Sequence, residues 1–478
     1  MKYVVMRTLF LVLALSNALF FNAANAANWL MLQGVTESPY PLLWGFLQPA
    51  YMRTSGSTLP TSTPPKNPWQ GQQSLVNSIQ PDLSSSQVFQ IQRARLGVRG
   101  AIPDSEKISY FVLAEFGNNG ITQPGGGAGK VTLTDATITF SQIEGARFRI
   151  GQMKVPMSEE VYQGIVTFNY VNLTSLANQQ MVERPFWTDG NSPCAIEPGN
   201  GPNAPAVSSS SYQRFCNGDS QTQFRSTVVA VRDIGIQVFD SKKIDGWEHS
   251  YSLLLGQGGA NKDDWNDSLD TSIYWSSERI FGGHKAFRKG YKIYAWQTKG
   301  KRTIYDSAAL STGGASLESA EREYNRELLG TGLTYFDGKF RFWAEYIKVD
   351  GMIFNGSSGG AVPGALSNNG SMVAQFRTEP EGKGVGGYVD FGYRVTPKVE
   401  LDIRYDVYNR ITNLDSSAEI QFATWTIGAQ YFFTQTTKAI INYEFRDAEA
   451  PGQSASSTTN LVLGETDDRL SAQLFLFF

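Results

Sequence analysis

The sequence predicts an all-β fold: a closed, antiparallel, up-and-down β-barrel of about sixteen strands. Two observations predict it. Apolar and polar side chains alternate with a period of two residues in segment after segment, and the connections between these segments are short and long in turn. The clearest alternating segment is V-E-L-D-I-R-Y-D-V-Y at 399–408, with one apolar face and one polar face.

The candidate strands are each about 10–14 residues long. This exceeds the usual strand of a soluble domain and suits a tilted strand that crosses a membrane. Pro49 interrupts the first candidate. The predicted strands are 43–53, 87–100, 107–116, 130–140, 145–154, 228–239, 248–257, 270–279, 289–299, 324–336, 339–349, 384–396, 398–409, 420–433, 437–447 and 468–478.

The connections alternate between two lengths. Short turns are predicted at 102–104, 141–144, 337–338, 396–397 and 433–437. The long Gly/Ser/Asn-rich loops are 54–86, 117–129, 155–227, 258–269, 300–323, 350–383, 410–419 and 448–467. Short turns on one side and long loops on the other are typical of transmembrane barrels of the bacterial outer membrane. Both termini then fall on the short-turn, periplasmic side.

The two ends of the chain support export to the outer membrane. Residues 1–26 combine Lys2 and Arg7 with an apolar stretch and the small-residue sequence Ala24-Asn25-Ala26, which predicts a cleaved signal peptide. The last strand alternates apolar residues and ends on Phe478. This pattern resembles the signal by which the barrel-assembly machinery recognises its clients. Residues 27–478 are therefore expected to form one barrel domain in the lipid bilayer and lipopolysaccharide of the outer membrane.

Composition excludes several other classes of protein. Cleavage at residue 26 moves the net charge from −3 to about −5, which gives no indication of nucleic-acid binding. No later segment has the run of about 18 apolar residues that a spanning helix needs. The run G-G-G-A-G-K at 125–130 lacks the first Gly and the Ser/Thr of a phosphate-binding loop, and His249 and His284 have no nucleophile motif beside them. We expect no enzyme activity, no metal site and no cofactor.

Cys194 and Cys216 are the two cysteines of the chain. In an exported protein a disulfide between them is the expectation, and two unpaired thiols are the alternative. A bridge would stiffen the loop that contains both residues.

Arginines on two neighbouring strands are the candidate functional residues. Arg93, Arg95 and Arg99 share one face of the second strand, opposite small and apolar side chains. Arg147 and Arg149 repeat this arrangement on the fifth strand. Arginine facing lipid near the membrane midplane costs about 2–4 kcal/mol, so these side chains are expected to point into the lumen. They would form a basic wall, or alternatively pair with wall acids such as Glu115 and Asp135.

The third long loop, 155–227, is too long for a plain connection and is expected to fold into the lumen. An extracellular cap over the barrel mouth is the alternative. Its acids include Glu159, Glu160 and Glu183. An acidic loop opposite a basic wall would set up a transverse field across the pore.

Several motifs resemble the phosphate-selective porin O and P family. They are R-A-R-L-G-V-R-G (93–100), R-F-R-I-G-Q-M-K-V-P-M-S-E-E (147–160), Q-Q-M-V-E-R-P-F (179–186), D-F-G-Y-R-V, Q-Y-F-F-T-Q-T-T-K and N-Y-E-F-R. The resemblance implies a sixteen-stranded barrel, usually a homotrimer, with basic residues along the route of small anionic solutes. The residues carried over as this lining are Arg93, Arg95, Arg99, Arg147, Arg149 and Lys154. Lys154 has the opposite parity to Arg147, and the acids of the long loop depart from what an anion constriction would favour.

The sequence thus predicts a porin for passive diffusion of small solutes, with an anion preference that could include phosphate. Three alternatives remain open. The acidic loop could make the pore general or cation-preferring, or the barrel could sheath an electron-carrying cytochrome supplied by a partner. The third alternative is an outer-membrane lipase or protease with measurable hydrolytic activity.

Overall fold

The computed structural model describes residues 38–77, 86–117, 131–164, 167–182, 231–258, 268–283, 288–305, 321–362, 365–370, 372, 374 and 376–478. Sixteen strands in this part of the chain form one closed antiparallel barrel, which confirms the predicted fold class. A separate two-stranded sheet lies in the loop between the eleventh barrel strand and the next. No helix among these residues is both long and apolar enough to span a membrane.

Every predicted strand is present in the barrel. The bounds are β1 Leu42–Thr54, β2 Gln87–Ile102, β3 Ser105–Glu115, β4 Thr132–Ile143, β5 Ala146–Lys154, β6 Arg232–Ile244, β7 Trp247–Gly256, β8 Asp270–Gly282, β9 Lys289–Tyr305, β10 Glu321–Phe336, β11 Phe340–Asp350, β14 Lys383–Thr396, β15 Val399–Arg410, β16 Ile420–Phe432, β17 Thr437–Glu449 and β18 Arg469–Phe477. The two strands of the separate sheet, β12 Ile353–Ser357 and β13 Phe376–Glu379, were not predicted. Short helices occur at Glu159–Tyr162 and Thr458–Leu463.

The barrel closes between its first and last strands. Each barrel strand pairs with the next barrel strand along the chain, so that β11 pairs with β14, and β1 pairs with β18 in a register that sets Phe46 opposite Phe477. The terminal residue completes this seam: Phe478 N donates to Gly45 O at 3.0 Å, and Gly45 N donates to Phe478 O at 2.9 Å. Closure leaves no free sheet edge, as a barrel in lipid requires.

The β1–β2 ladder carries one irregularity, at Pro49. Gln48 pairs with Arg93 and Pro49 with Ile91, so Gln92 is the extra residue of a β-bulge. Proline has no N–H to donate, which confines it within sheets to edges and bulges. The bulge therefore explains how a strand containing Pro49 can remain in the barrel wall.

The two faces of each strand differ as the alternation predicted. On β15, Leu401 and Ile403 point outward and are 51% and 41% exposed, whereas Asp402 and Arg404 point inward and are 5% and 4% exposed. A transmembrane barrel needs this arrangement, because its outer face contacts lipid and its inner face is polar. We call the end with the short turns the turn end and the other the loop end.

The described loop segments pack together at the loop end. Leu59 and Trp69 follow β1, and both are buried against Ala361 and the partly buried Val462 from two later loops. Trp69 Nε1 donates to Ala365 O at 3.0 Å, and Asn67 Nδ2 donates to Gly359 O at 2.8 Å. These contacts join three loops above the barrel wall.

Candidate functional site

The described part of the third loop, 155–164 and 167–182, lies inside the barrel. We call it the lumen loop. It contacts the inward-facing side chains of strands on opposite sides of the wall. Near its start, Ser158 Oγ donates to Glu345 on β11 at 2.7 Å. Further along, Asn172 Nδ2 donates to Glu444 on β17 and to Ser471 on β18, both at 2.8 Å. The loop therefore crosses the lumen rather than covering the mouth with these residues.

Glu159 anchors the first turn of the lumen loop. Its carboxylate accepts a hydrogen bond from Lys292 Nζ on β9 at 2.6 Å and another from the Tyr274 hydroxyl on β8. Tyr274 stacks on Tyr294 with ring centroids 6.2 Å apart, and Tyr162 of the loop lies 6.0 Å from Tyr274. All these groups are buried. The ion pair and the packed aromatic rings together hold the first turn of the lumen loop against the barrel wall.

Glu160 points to a different wall. Its carboxylate accepts from Thr174 N at 2.7 Å and Thr174 Oγ1 at 2.6 Å, and it lies 3.5 Å from Arg404 Nη1 on β15. Burial raises the pKa of the Glu160 carboxyl, and Arg404 together with the Thr174 hydrogen bonds offsets only part of this effect. Neither Glu159 nor Glu160 faces the arginines of β2, because each is paired with a cation elsewhere.

The second half of the loop is held by acids and amides of the wall. The Tyr170 hydroxyl donates to Asp390 on β14 at 2.7 Å, and Val171 N donates to Asn442 on β17 at 2.8 Å. Asp390 is also paired with Arg341 of β11, which contacts Asp402 and lies 3.3 Å from Glu400. Most acids of the later strands thus bind the loop or a neighbouring arginine. The sequence places Arg341 on an inward face with Glu345 but does not identify it as a site residue.

Arg93 and Arg95 point inward as predicted, and each is 7% exposed. Arg95 Nε pairs with Glu115 at 2.8 Å, and its guanidinium lies 5.5 Å from the centre of the Phe46 ring. Arg93 Nη1 donates to Gln48 Oε1 at 3.1 Å, and its guanidinium lies 5.5 Å from the Phe168 ring of the lumen loop. Arg95 is therefore paired with a wall acid, as the alternative interpretation of the sequence expected. Arg93 contacts an amide and an aromatic ring instead.

The remaining predicted arginines lie nearer the turn end. Arg149 donates to Gln237 Oε1 at 3.1 Å and stacks on Phe239 at 4.4 Å, and it is 6% exposed. Arg147 is paired with Asp240 and keeps 22% of its side chain exposed. Arg99 is half-buried. Arg147 and Arg99 are thus the members of the predicted lining with the most access to solvent.

Lys154 reaches the lumen loop although its parity pointed the other way. Its Nζ donates to Val161 O at 3.1 Å and Gln163 O at 3.0 Å. Earlier on the same strand, Gly151 has a φ of +125°, and a Cβ added to it would lie 2.1 Å from Ala136 O. Only glycine tolerates both conditions, and the simple alternation of β5 ends at this residue.

Arg232 joins this group and was missed by the sequence reasoning. Its Nη2 lies 3.2 Å from Asp135 Oδ2 on β4. Lys154 interacts electrostatically with Arg232, Arg95 and Arg93. We call Arg93, Arg95, Lys154 and Arg232 the basic cluster. Two wall acids, Glu115 and Asp135, lie among these four cations, so the cluster carries excess positive charge. Arg232 is the first residue of β6, directly after the long loop. The alternating pattern around it is too short to predict from the sequence which way its side chain points.

Three predicted residues lie outside the part of the chain that the structure describes. They are Glu183 and the two cysteines, Cys194 and Cys216. The proposed signal peptide, 1–26, also lies outside it.

Comparison with known proteins agrees with this architecture. The family described as phosphate-selective porin O and P matches residues 72–194. This segment contains β2 to β5, most of the basic cluster and the lumen loop. No curated protein matches the sequence significantly.

Several solved outer-membrane barrels resemble the structure at low sequence identity. The anion-selective porin from Comamonas acidovorans is 12% identical, with a TM-score of 0.47 over 92% of this chain and 99% of that one. The outer membrane channel DcaP of Acinetobacter baumannii is 12% identical, with a TM-score of 0.47 over 92% and 97%. Salmonella typhi OmpF in complex with daunomycin is 11% identical, with a TM-score of 0.48 over 92% and 98%.

The family match and the closed sixteen-stranded barrel lead to the same conclusion. The chain is an outer-membrane barrel of the porin type, and over residues 72–194 it carries the sequence pattern of the phosphate-selective porin O and P family.

Proposed function

We propose that this barrel is a passive diffusion channel for small solutes with a preference for anions, phosphate among them. The basic cluster is the observation that supports this most directly. Four cations lie around two acids on β2 to β6, on the inner face of the barrel and beside the lumen loop. An anion that gives up part of its hydration can exchange it for guanidinium and ammonium hydrogen bonds, and several moderate sites suit throughput better than one tight site.

The route that we propose begins at the more exposed arginines and continues along the buried ones. Arg147 and Arg99 would receive anions at the turn end, and Arg149, Arg93 and Lys154 would pass them along the lumen loop. Because Arg93 and Arg149 are almost fully buried, passage requires small displacements of the loop residues packed on them. Phe168, which lies against Arg93, is the first such contact.

The rival proposal is a pore that is general or that prefers cations. The wall opposite the basic cluster carries Asp390, Glu400, Asp402, Asp406 and Glu444, all buried. Arg341, Arg404 and Arg469 lie against these acids, with Arg469 Nε 2.6 Å from Glu444. Arg394 also lies 3.0 Å from Glu400, so four arginines face these five acids. The wall thus has an excess of one negative charge, against an excess of two positive charges in the basic cluster, which favours the anion channel over the rival.

The sheath alternative is disfavoured by the lumen loop. A cytochrome threaded through the barrel would need the space that this segment of the chain itself occupies, with anchors on β9, β11, β15 and β17. We further propose export by the signal peptide 1–26, assembly by the barrel-assembly machinery, and a homotrimer in the outer membrane.

The test is the reversal potential of the refolded barrel in a planar bilayer under a KCl gradient. In a water-like medium a unit charge at about 4 Å contributes about 1 kcal/mol. The double variant Arg93→Gln/Arg149→Gln should therefore lower the chloride-to-potassium permeability ratio several-fold. Added phosphate should reduce chloride current in the wild type and less in the variant.

The control variant is Lys301→Gln/Lys348→Gln, which removes the same charge from outward-facing positions. It should leave the permeability ratio unchanged. A wild-type potential on the potassium side, or a double variant with unaltered selectivity, would refute the anion pathway while leaving the channel itself intact.

A further inference from the structure

Four lysines form a group on the outer face of the barrel near its loop end. They are Lys299 and Lys301 on β9, Lys348 on β11 and Lys383 on β14. Strand register sets them side by side: Lys299 pairs with Glu327, Glu327 pairs with Asp350, and Asp350 pairs with Lys383. We call the four residues the lysine belt. It covers four adjacent strands, because β10 lies between β9 and β11 and β14 follows β11 in the sheet.

The lysines of the belt are exposed on the outside of the barrel, and ion pairs with neighbouring acids hold three of them in place. Lys299, Lys301 and Lys383 have side chains that are 63%, 47% and 53% exposed. Their Nζ atoms lie 3.1 Å from Glu327, 2.9 Å from Glu323 and 2.8 Å from Asp350. The Lys348 ammonium lies 6.0 Å from the Tyr346 ring. Each acid fixes a neighbouring lysine near the wall while leaving much of it accessible from outside.

The belt lies directly above the apolar surface of the barrel. Leu329 is 47% exposed and is the next outward-facing residue after Glu327, toward the turn end. Tyr346 has the same relation to Lys348 and is 49% exposed. Two residues of a strand span about 6.8 Å. The lysines thus lie at the height where the lipid hydrocarbon ends and the headgroups begin.

Near the loop end, exposed outward lysines are concentrated on this part of the wall. Among the barrel strands that the structure describes, one further cation points outward near the loop end, Arg53 on β1. In the closed ring, β1 lies almost opposite β9 and β10. A belt that served solubility alone would have no reason to be confined to one side.

We propose that the lysine belt binds the phosphate groups of the phosphorylated glycolipid in the outer leaflet, that is, the lipid A part of lipopolysaccharide. Ammonium groups at the headgroup level, on stems that lie along apolar surface, suit phosphates attached to acyl chains that cover the band below. Glu323, Glu327 and Asp350 hold the lysines in place and compete with the phosphates. This inference rests on the location of the barrel in the outer membrane and is independent of the selectivity of its lumen.

The test uses the refolded full barrel in detergent, with deep-rough lipopolysaccharide as the probe and native mass spectrometry as the readout. The variant is Lys299→Gln/Lys301→Gln/Lys348→Gln/Lys383→Gln. The matched control removes four exposed lysines at the turn end, Lys107→Gln/Lys243→Gln/Lys289→Gln/Lys398→Gln. We expect at least about tenfold weaker binding in the belt variant, wild-type binding in the control, and similarly weak binding of dephosphorylated lipopolysaccharide to the wild type.

Two further measurements make the result decisive. Glu327→Gln frees Lys299 from its ion pair and should strengthen binding. Inorganic phosphate at the probe concentration should not displace the glycolipid, since it lacks acyl chains. Equal binding by the belt variant and the control, or full displacement by inorganic phosphate, would overturn the proposal. Heat-modifiable mobility on gels confirms that each variant is folded, and unaltered conductance of the belt variant separates this proposal from the channel function.

Discussion

At the scale of single residues, two adjacent carboxylates secure one loop to two walls. Glu159 binds Lys292 on β9, and Glu160 binds Thr174 within the loop and faces Arg404 on β15. Removing one member of such a buried pair leaves an uncompensated charge, which is costly. These two side chains therefore fix the loop in the lumen. From the sequence, their acidity had led us to expect only a transverse field across the pore.

Glu160 gives the docking of the loop a pH dependence. Burial raises the pKa of its carboxyl above the ordinary value of 4.5. The docked loop thus binds this proton more tightly than the undocked loop does. The contribution of Glu160 to docking is most favourable below pH 4.5 and weakens as pH rises through the raised pKa. Glu160→Gln removes this dependence, because glutamine does not titrate.

Hydrogen exchange of residues 167–176 measures the effect. We expect wild-type protection to fall relative to Glu160→Gln as pH rises from 4.5 through the raised pKa of Glu160. The comparison at each pH cancels the intrinsic exchange rate. A ratio that stays constant over this range would show that Glu160 does not control docking.

At the scale of elements, β9, β10 and β11 support the loop through a chain of close contacts. The Trp296 indole on β9 donates to Glu345 on β11 at 2.8 Å, and Glu345 accepts from Ser158 of the loop. The indole lies over Gly330 of β10, where an added Cβ would be 2.4 Å from Trp296 Nε1 and Cε2. Because Gly330 has no side chain, the indole of Trp296 can occupy this position. The indole in turn holds Glu345, which binds Ser158 of the loop.

Gly330→Ala should destabilise the barrel by about 1–3 kcal/mol, since the buried indole has no room to move. The control is Gly282→Ala on β8, where the nearest atom to an added Cβ is 3.8 Å away. That substitution should change stability by less than about 0.5 kcal/mol. Urea unfolding of the refolded barrel in lipid vesicles provides both values. Equal losses at the two glycines would mean that strand propensity, rather than contact with Trp296, sets the cost.

The sequence predicted the positions of the strands better than it predicted which side chains meet in the lumen. Alternation and turn residues are local signals, so all sixteen barrel strands were located. The predicted β9 ends at Lys299, where the outward face becomes charged, whereas the strand continues to Tyr305. Arg232, Lys292 and Arg341 were missed as site residues because their roles depend on partners that lie far away in sequence. Lys154 could not be placed from the sequence, because the alternation of β5 stops before it, where Gln152 and Met153 are both buried.

At the scale of the whole molecule, Phe478 takes part in the closure of the barrel. Phe478 exchanges two backbone hydrogen bonds with Gly45, and an added Cβ at Gly45 would lie 2.7 Å from the Phe478 ring. The terminal residue therefore contributes both backbone pairing and ring packing to the seam between β1 and β18. We expect deletion of Phe478 to slow refolding into detergent and to reduce assembled barrel in cells. Phe478→Leu retains the backbone bonds and an apolar side chain.

The two variants separate a structural role from a recognition role. If the seam alone needs residue 478, Phe478→Leu should refold and assemble nearly as the wild type does, and only the deletion should fail. If the assembly machinery reads the terminal aromatic ring, Phe478→Leu should refold normally in vitro but accumulate unassembled in cells. Heat-modifiable mobility measures both. Normal assembly of the deletion variant would contradict both roles, because the strand would then close and be recognised without its last residue.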